Sequence, residues 1–276
     1  MTLAQYLAEL ELELVVAGEE AESLSFVYRA LNELSLTDFV LKIRTEVSQE
    51  DREELKAIQE QLLAHKPAQY IIGSSDFHGL TLKVDERVLI PRPETEELVE
   101  IILSENPESS MSVLDIGTGS GAIALALANS RPDWQITASD LSSDALALAR
   151  ENAQSCGLSL TFVQSDCLDA ISGRFDIIVS NPPYISAADK AEVGLNVLTS
   201  EPHMALFAEE DGYAVYRKIA EQAGNYLTEK GKIYLEIGYK QGDGIRVLLK
   251  KNFPKKRIRV LKDQFGKDRM VVVDNG

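Results

Sequence analysis

The residues best placed to do chemistry are Asn181-Pro182-Pro183-Tyr184. They follow Phe175-Asp-Ile-Ile-Val-Ser180, an apolar run that reads as a buried strand of a parallel sheet, whose carboxyl ends carry active-site loops. Two successive prolines lock two φ angles and remove two N–H donors. The carbonyls around them are therefore held rigidly, with no neighbouring amide hydrogen competing for the same space. With the Asn181 side-chain oxygen, the loop becomes a small array of fixed acceptors beside an aromatic ring. Such an array suits a planar NH2 group gripped through both of its hydrogens.

A second constellation lies upstream. Val113-Leu-Asp-Ile-Gly-Thr-Gly-Ser-Gly121 reads as a strand running into a glycine-rich turn that opens a helix. Glycines there let backbone approach a ligand closely. Gly117, Gly119 and Ala122 also satisfy the dinucleotide fingerprint in its loose form, so the turn alone does not choose between cofactors. The acids do. Asp115, just before the turn, suits an ammonium group better than a pyrophosphate, which the helix N-terminus would otherwise hold. Asp140 ends the next strand, 19 residues after Gly121, where a carboxylate accepts both hydroxyls of a ribose. Asp166 ends the third, positioned to accept from an adenine amino group, with the Cys167 amide in reach of a ring nitrogen. An ammonium reader, a ribose reader and an adenine reader together describe S-adenosylmethionine rather than NAD. Cys167 reads as a small apolar wall, since no base in view would make its thiol a nucleophile.

These loops need a sheet to carry them. Strand-like runs at 111–116, 135–139, 160–164, 175–180 and 231–237 alternate with helical runs near 94–105, 121–130, 142–156 and 213–229. That alternation predicts a parallel sheet with helices on both faces. A helix near 240–251 and two extended runs at 257–262 and 269–273 follow, the last two pairing antiparallel, for seven strands in all. Before the sheet, residues 70–90 form short extended runs with turns at Ser74-Ser75 and Asp85-Glu86, a β-hairpin linker that with Lys66-Pro67 spans 67–92. Residues 1–66 read as a helical bundle: Thr2 caps a helix ending near Gly18, a second covers about 20–34, Thr37 caps a third near 38–46, and Ser48 with Asp51 makes a capping box for a fourth to about His65. The catalytic domain then runs from 93 to 276.

Composition excludes several functions. No stretch approaches the roughly 18 apolar residues that span a bilayer, and Glu9, Glu11 and Glu13 interrupt any secretory signal. Cys156 and Cys167 make neither a metal-ligand spacing nor a disulfide framework, and His65, His78 and His203 are too scattered for a metal site. A reduced, cytoplasmic protein with no bound metal is expected. The net charge of −16 opposes stable nucleic-acid binding. Half of it sits in residues 1–66, where 14 Asp/Glu against 6 Lys/Arg leave −8. One basic run, Lys250 to Lys262, reads as a solvated helix end and a guarded edge strand, or as a contact for RNA or an acidic partner.

Asp115-Ile-Gly-Thr-Gly-Ser-Gly121 followed by Asn181-Pro-Pro-Tyr184 resembles a class I S-adenosylmethionine-dependent methyltransferase that acts on an exocyclic or amide nitrogen. Ile90-Pro-Arg-Pro-Glu-Thr-Glu96, Pro67-Ala-Gln-Tyr-Ile-Ile-Gly73, Phe77-His-Gly79, Glu201-Pro202 and Leu235-Glu-Ile-Gly238 narrow the resemblance, over essentially the whole chain, to the release factor glutamine methyltransferases (the PrmC, or HemK, family). The resemblance implies a seven-stranded, mostly parallel, doubly wound Rossmann-like sheet. It implies transfer of methyl from S-adenosylmethionine, leaving S-adenosylhomocysteine, to N5 of the glutamine in the Gly-Gly-Gln motif of class I peptide chain release factors. Cofactor residues carry over to Gly117, Thr118, Gly119, Ser120, Gly121, Asp140, Cys167 and Asn181, joined by Asp115 and Asp166. Asn181, Pro182 and Tyr184 are the catalytic expectation, and Pro183 and Phe77 complete the substrate side. Some members of the family have a bulkier aromatic residue where Cys167 stands, which implies weaker stacking on the adenine here. Adenine-N6 methylation of DNA or RNA, a catalytically silent cofactor-binding protein and NAD-linked redox chemistry are the rivals. The acidic charge, the intact Asn-Pro-Pro-Tyr loop and the lack of a proton-transfer residue near the fingerprint weigh against them in turn.

Overall fold

Thr2 and Ser48 do what their sequence context requires. In a computed structural model describing residues 1–107 and 110–276, each caps its helix with a capping box, opening α1 (Leu3–Val16) and, beyond α2 (Glu22–Leu31) and α3 (Leu36–Lys42), α4 (Gln49–Leu63). The cap of α3 is Ser35 rather than Thr37, which lies inside the helix. Ser35 accepts from the Asp38 amide, so the earlier of two competing hydroxyls starts the helix. A fifth helix, α5 (Ala68–Ile72), occupies residues expected to be extended; Pro67 before its first residue presets the chain for it, and Gly73 ends it at φ +83°. These helices share a core of Leu3, Leu14, Leu24, Tyr28 and Leu55. The chain divides into two compact units, Met1–Ser75 with Val193–Glu201 and Asp76–Glu192 with Pro202–Gly276.

The hairpin expected in the linker forms as β1 (Ser74–Phe77) and β2 (Leu80–Lys83). Its turn is His78-Gly79, not Ser74-Ser75. Both turn residues have positive φ, +48° and +77°, the requirement of a two-residue turn whose twist matches its strands. Asp85 does begin a turn, closed by the Val88 amide on its carbonyl.

From there the second unit alternates strand and helix: α6 (Pro93–Glu105), β3 (Ser112–Ile116), α7 (Ala122–Ser130), β4 (Gln135–Asp140), α8 (Ser143–Ser155), β5 (Thr161–Gln164) and β6 (Phe175–Ser180). Three short helices follow, α9 (Leu195–Ser200, within the first unit), α10 (His203–Leu206) and α11 (Glu209–Gly212), the last a distorted single turn. Then come α12 (Ala214–Gln222), β7 (Leu227–Glu236), α13 (Gly242–Asn252), β8 (Arg257–Lys262) and β9 (Asp268–Asp274). Helix α12 stops well short of the expected 229. Leu227 pairs with Phe175 of β6, and that tertiary ladder captures the residues after Gly224-Asn225 as strand. The seven-stranded sheet runs β5-β4-β3-β6-β7-β9-β8, parallel through β7 and antiparallel at β9 and β8. This is the doubly wound class I methyltransferase fold, with the order reversing at β3.

Strand alternation divides the core. Val113, Ile177, Val179, Tyr234 and Val272 face α6 and α7; Leu114, Ile178, Leu235 and Val273 face α12 and α13. Both faces are covered, so the central strands read as apolar runs.

Asp51 supplies the stability prediction. Burial would raise its carboxyl, but hydrogen bonds from Tyr28 and Ser48 and the Lys42 ammonium outweigh burial and hold it well below the usual carboxylate range. Asp51→Ala removes a cap and leaves Tyr28 without its partner, an expected loss of about 2–4 kcal/mol in urea unfolding. A depressed carboxyl adds stability that is fully present above its unfolded value and lost as pH falls below about 4. The variant should lose that part of the acid dependence.

Candidate active site

The carboxyl ends of four neighbouring strands stand in one row: Ile116 of β3 pairs with Ser139 of β4 and Ser180 of β6, and Ser180 pairs with Leu235 of β7. The Ser180 hydroxyl donates to the Ile116 carbonyl at 2.7 Å, and the Ser139 hydroxyl to the Asp115 carbonyl at 3.1 Å. The row is thereby stitched together. The glycine turn and the Asn-Pro-Pro-Tyr loop leave from adjacent strands and line one cavity of about 420 Å³, inside the ~300–1,000 Å³ range of ligand pockets. Gly117, Thr118, Gly119, Ser120, Asp140 and Cys167 line it on one side, and Asn181, Pro182 and Pro183 on the other.

The turn after β3 is built by its backbone. The Gly117 and Thr118 amides both donate to the Ser139 carbonyl, at 2.8 and 2.9 Å. Gly117 and Gly119 have φ of +72° and +56°, and among the described residues no heavy atom beyond their chain neighbours lies within 4 Å of where a Cβ would stand on either. The absent side chains leave a cradle for a ligand. Asp140 is held by two amides, Gly119 at 2.9 Å on Oδ2 and Ser142 at 2.9 Å on Oδ1, which leaves a further lone pair on each oxygen for a pair of hydroxyls. Burial raises its carboxyl, and those amides pull it back. Opposite, Cys167 takes φ +54°, and burial pushes its thiol up to about 12. It therefore presents a neutral sulfur to the cavity. Asp166 lines the cavity with both oxygens on the Lys218 ammonium at 2.7 Å. Two carboxylate acceptors beside a neutral sulfur are groups that could hold the hydroxyls and amino group of an adenosine.

Four of the expected site residues are not brought to the cavity wall, the first being Gly121, which at φ +86° turns the chain into α7 against Leu125 and Ala149. Asp115 is wholly buried: alternation along β3 turns it to the face that α7 covers, where Oδ2 accepts from Thr118 at 2.6 Å. Burial, with Asp140 nearby, raises its carboxyl to about 7 against the Thr118 bond. Phe77 is 1% exposed and packs in the core with Leu82 and Leu98. The apolar periodicity of the hairpin, not a ligand, explains it. Tyr184 packs its ring against the second core cluster, near Gly238. Its role is that of an anchor for the loop.

Several residues with no assigned role hold that loop. Gln241 donates from Nε2 to the Tyr184 carbonyl at 3.1 Å and the Gly212 carbonyl at 3.4 Å, and accepts at Oε1 from the Gly238 amide at 3.0 Å. Glu210, Asp211 and Gly212 all have positive φ, which swings the backbone of Gly212 against Tyr184. On the far side, Asn152 of α8 donates to the Ser120 carbonyl at 2.9 Å and braces the glycine turn. The Asn181 amide nitrogen donates to Thr95 of α6, whose hydroxyl donates to buried Glu236. Thr95 and Glu236 stood in the Pro-Glu-Thr-Glu and Leu-Glu-Ile-Gly runs, but nothing in one dimension joined them.

Five of the seven cations of the basic run make internal bonds, while Lys251 and Lys255 are exposed. Lys250 donates to the Pro254 and Lys256 carbonyls, Lys256 to the Gly231 carbonyl, and Lys262 to the Gly266 carbonyl, while Arg257 and Arg259 pair with Asp274 and Glu105. These cations tie the last strands together.

Residues 94–206 match the family described as "Methyltransferase small domain", and residues 5–73 the one described as "PrmC N-terminal domain". A Streptococcus pneumoniae protein named "Release factor glutamine methyltransferase" is 64% identical over 277 residues, covering 100% of this chain and 99% of its own. A Lactococcus lactis protein of the same name is 51% identical over 255 residues, covering 92% and 94%. Among solved structures, a methyltransferase from Pyrococcus furiosus is similar with a TM-score of 0.54, covering 72% of this chain and 90% of its own at 21% identity, a likeness of fold alone.

Gly212 tests the anchoring of the loop. A Cβ there would stand 2.2 Å from the Tyr184 carbonyl oxygen and 2.8 Å from Gln241 Nε2, at φ +85°. Gly212→Ala is expected to destabilise the protein by about 2–4 kcal/mol, read as a lowered midpoint in denaturant. A midpoint equal to wild type would show that the loop is not clamped there.

Proposed function

This chain belongs to the release factor glutamine methyltransferases, S-adenosylmethionine-dependent enzymes, and on that premise we propose that it methylates N5 of the glutamine in the Gly-Gly-Gln motif of class I peptide chain release factors. The observation that carries the reading is the shared cavity: the glycine turn and the Asn181-Pro182-Pro183 acceptors leave adjacent strands and face one space. Gly117 to Ser120 would cradle the cofactor, with Gly121 turning the chain into α7 behind them, Asp140 would take its ribose hydroxyls, and Asp166 and Cys167 would border its adenine. When bound, S-adenosylmethionine supplies an electrophilic methyl group on a sulfonium sulfur.

The chain's task is to present a poor nucleophile. An amide nitrogen has its lone pair delocalised into the carbonyl. Asn181 Oδ1 and the Pro182 carbonyl accept its two N–H bonds, hold it in line, and stabilise positive charge as it develops. Orientation of this kind is worth about 7–11 kcal/mol at best. The nitrogen takes the methyl group and releases one proton to solvent, so no general base is required. Pro183 keeps the loop rigid and Tyr184 anchors it.

Charge supports a protein substrate over a nucleic acid. The net charge is −16, and five of the seven cations of the basic run are engaged in internal bonds. No helix among the described residues is long and apolar enough to cross a membrane. The helical residues 1–66 are the docking piece of the reading, since a Gly-Gly-Gln loop offers little recognition surface. They expose Leu12, Val16, Leu36 and Leu41 and carry a net charge of −8, which suits a partner with apolar and basic groups.

Labelled methyl transfer to a purified class I release factor tests the reading, with the glutamine-to-alanine form of its Gly-Gly-Gln motif and unmethylated DNA as controls. Label is expected in the intact factor alone, and Asn181→Ala should cut turnover by about 10²–10³ with the fold retained. Label in DNA or in the alanine factor would overturn the assignment. Deleting residues 1–66 should raise KM for the release factor far more than for the cofactor; the reverse would make the bundle a folding element.

A further inference from the structure

An asparagine side chain can be seated two ways. A half-turn of its amide exchanges an acceptor for a donor with almost no change of shape, so only its neighbours decide which end faces the cavity. For Asn181 those neighbours form a buried chain. Its Nδ2 donates to Thr95 Oγ1 at 3.2 Å, and Thr95 Oγ1 donates to Glu236 Oε2 at 2.6 Å. Thr95 and Glu236 are 4% and 2% exposed. A threonine hydroxyl carries one proton. With that proton on the carboxylate, Thr95 has only lone pairs to offer, so the amide nitrogen turns to Thr95 and Oδ1 turns away from it.

Three separate elements meet to make this chain. Thr95 lies in the first turn of α6, Glu236 ends β7, and Asn181 is the first residue past β6. Pairing of Ser180 with Leu235 sets Asn181 and Glu236 side by side. The Tyr216 hydroxyl donates to the Glu236 carbonyl at 2.7 Å and holds that strand end.

We propose that Glu236 and Thr95 are positioning residues for methyl transfer: the Glu236 carboxylate, acting through the Thr95 hydroxyl, turns the Asn181 amide so that Oδ1 meets the substrate NH2. The inference rests on the acceptor-loop reading above. Protonating Glu236 reverses the chain. Its O–H then donates to Thr95, whose hydroxyl donates to Oδ1, and the amide nitrogen faces the substrate NH2, which also has only donors to give. The charged and titratable groups around Glu236 are Arg92 and Glu94 at the start of α6, Arg269 of β9, and the Tyr184 and Tyr216 hydroxyls. Burial raises the Glu236 carboxyl to about 7, with the Thr95 bond, Arg269 and Arg92 opposing and Glu94 assisting. The active orientation is therefore present at higher pH and lost as pH falls through that value.

Steady-state kinetics on a class I release factor give the first test. Thr95→Val keeps the shape and removes the hydroxyl; kcat should fall about 10²-fold while cofactor affinity is kept, and Thr95→Ser should restore it to within about threefold. Glu236→Gln should flatten the fall in kcat toward acid pH. Wild-type enzyme that leaves the release factor unmethylated would strike the acceptor-loop reading; active wild type with equally active Thr95→Val would strike the relay alone. A second measurement needs no turnover. In the full-length protein, the 1H–15N pair of the Asn181 side-chain amide should titrate with a midpoint near 7, and stop doing so in Glu236→Gln. A wild-type pair indifferent to pH overturns the relay whatever the activity.

Discussion

The row formed by Ile116, Ser139, Ser180 and Leu235 is the constraint on which the active end of this protein depends. Parallel pairing ends four strands at one level, and serine hydroxyls bind the ends to their neighbours' carbonyls. Once the row exists, each loop starts from a set position and direction. The glycine turn leaves beside the proline-locked loop because β3 lies beside β6, where the strand order reverses. A slip of one residue in that register would turn every side chain to the opposite face. Asp140 would then lose the amides that orient it, and Asn181 would lose Thr95.

Rigidity at this end is distributed between covalent and non-covalent means. Pro182 and Pro183 fix their own dihedrals without outside help. The flanking residues need partners, and those come from distant parts of the chain: Gln241 for the Tyr184 carbonyl, Asn152 for the Ser120 carbonyl, Thr95 for the Asn181 amide. Each is a polar side chain with little exposure, and each contributes through a hydrogen bond rather than packing. Buried polar groups of this kind cost several kcal/mol when left unpaired, so the site tolerates one geometry and rejects its neighbours. The same logic places two carboxyls, Asp115 and Glu236, inside the protein with values near 7. Neither touches the cavity; both lie one step behind it.

Much of this was legible in the sequence, for local reasons. Capping residues precede their helices by a few positions, apolar alternation marks the strands, and a glycine turn or a Pro-Pro pair has much the same conformation wherever it falls. Thr2 and Ser48 did what their surroundings in sequence required. The expectations that failed were those a distant partner decides. The end of α12 gave way to pairing between Leu227 and Phe175; the hairpin turned at His78-Gly79; Phe77 went to the core; and the Tyr184 ring, expected on the substrate side, packs against the second core cluster.

By itself, then, the sequence determined the doubly wound fold, the two loops and the chemical character of each, because those follow from short-range dihedral and periodicity rules. It could not say which way a buried side chain faces. Asp115 and Asp140 look alike as strand-ending acids, yet one is hidden beneath α7 and the other opens on the cavity. Thr95, Asn181 and Glu236 stand up to 141 residues apart and become a single hydrogen-bonded chain only when α6, β6 and β7 are packed. Hydrogen bonds act over about 3 Å, and only tertiary structure brings such groups within that distance.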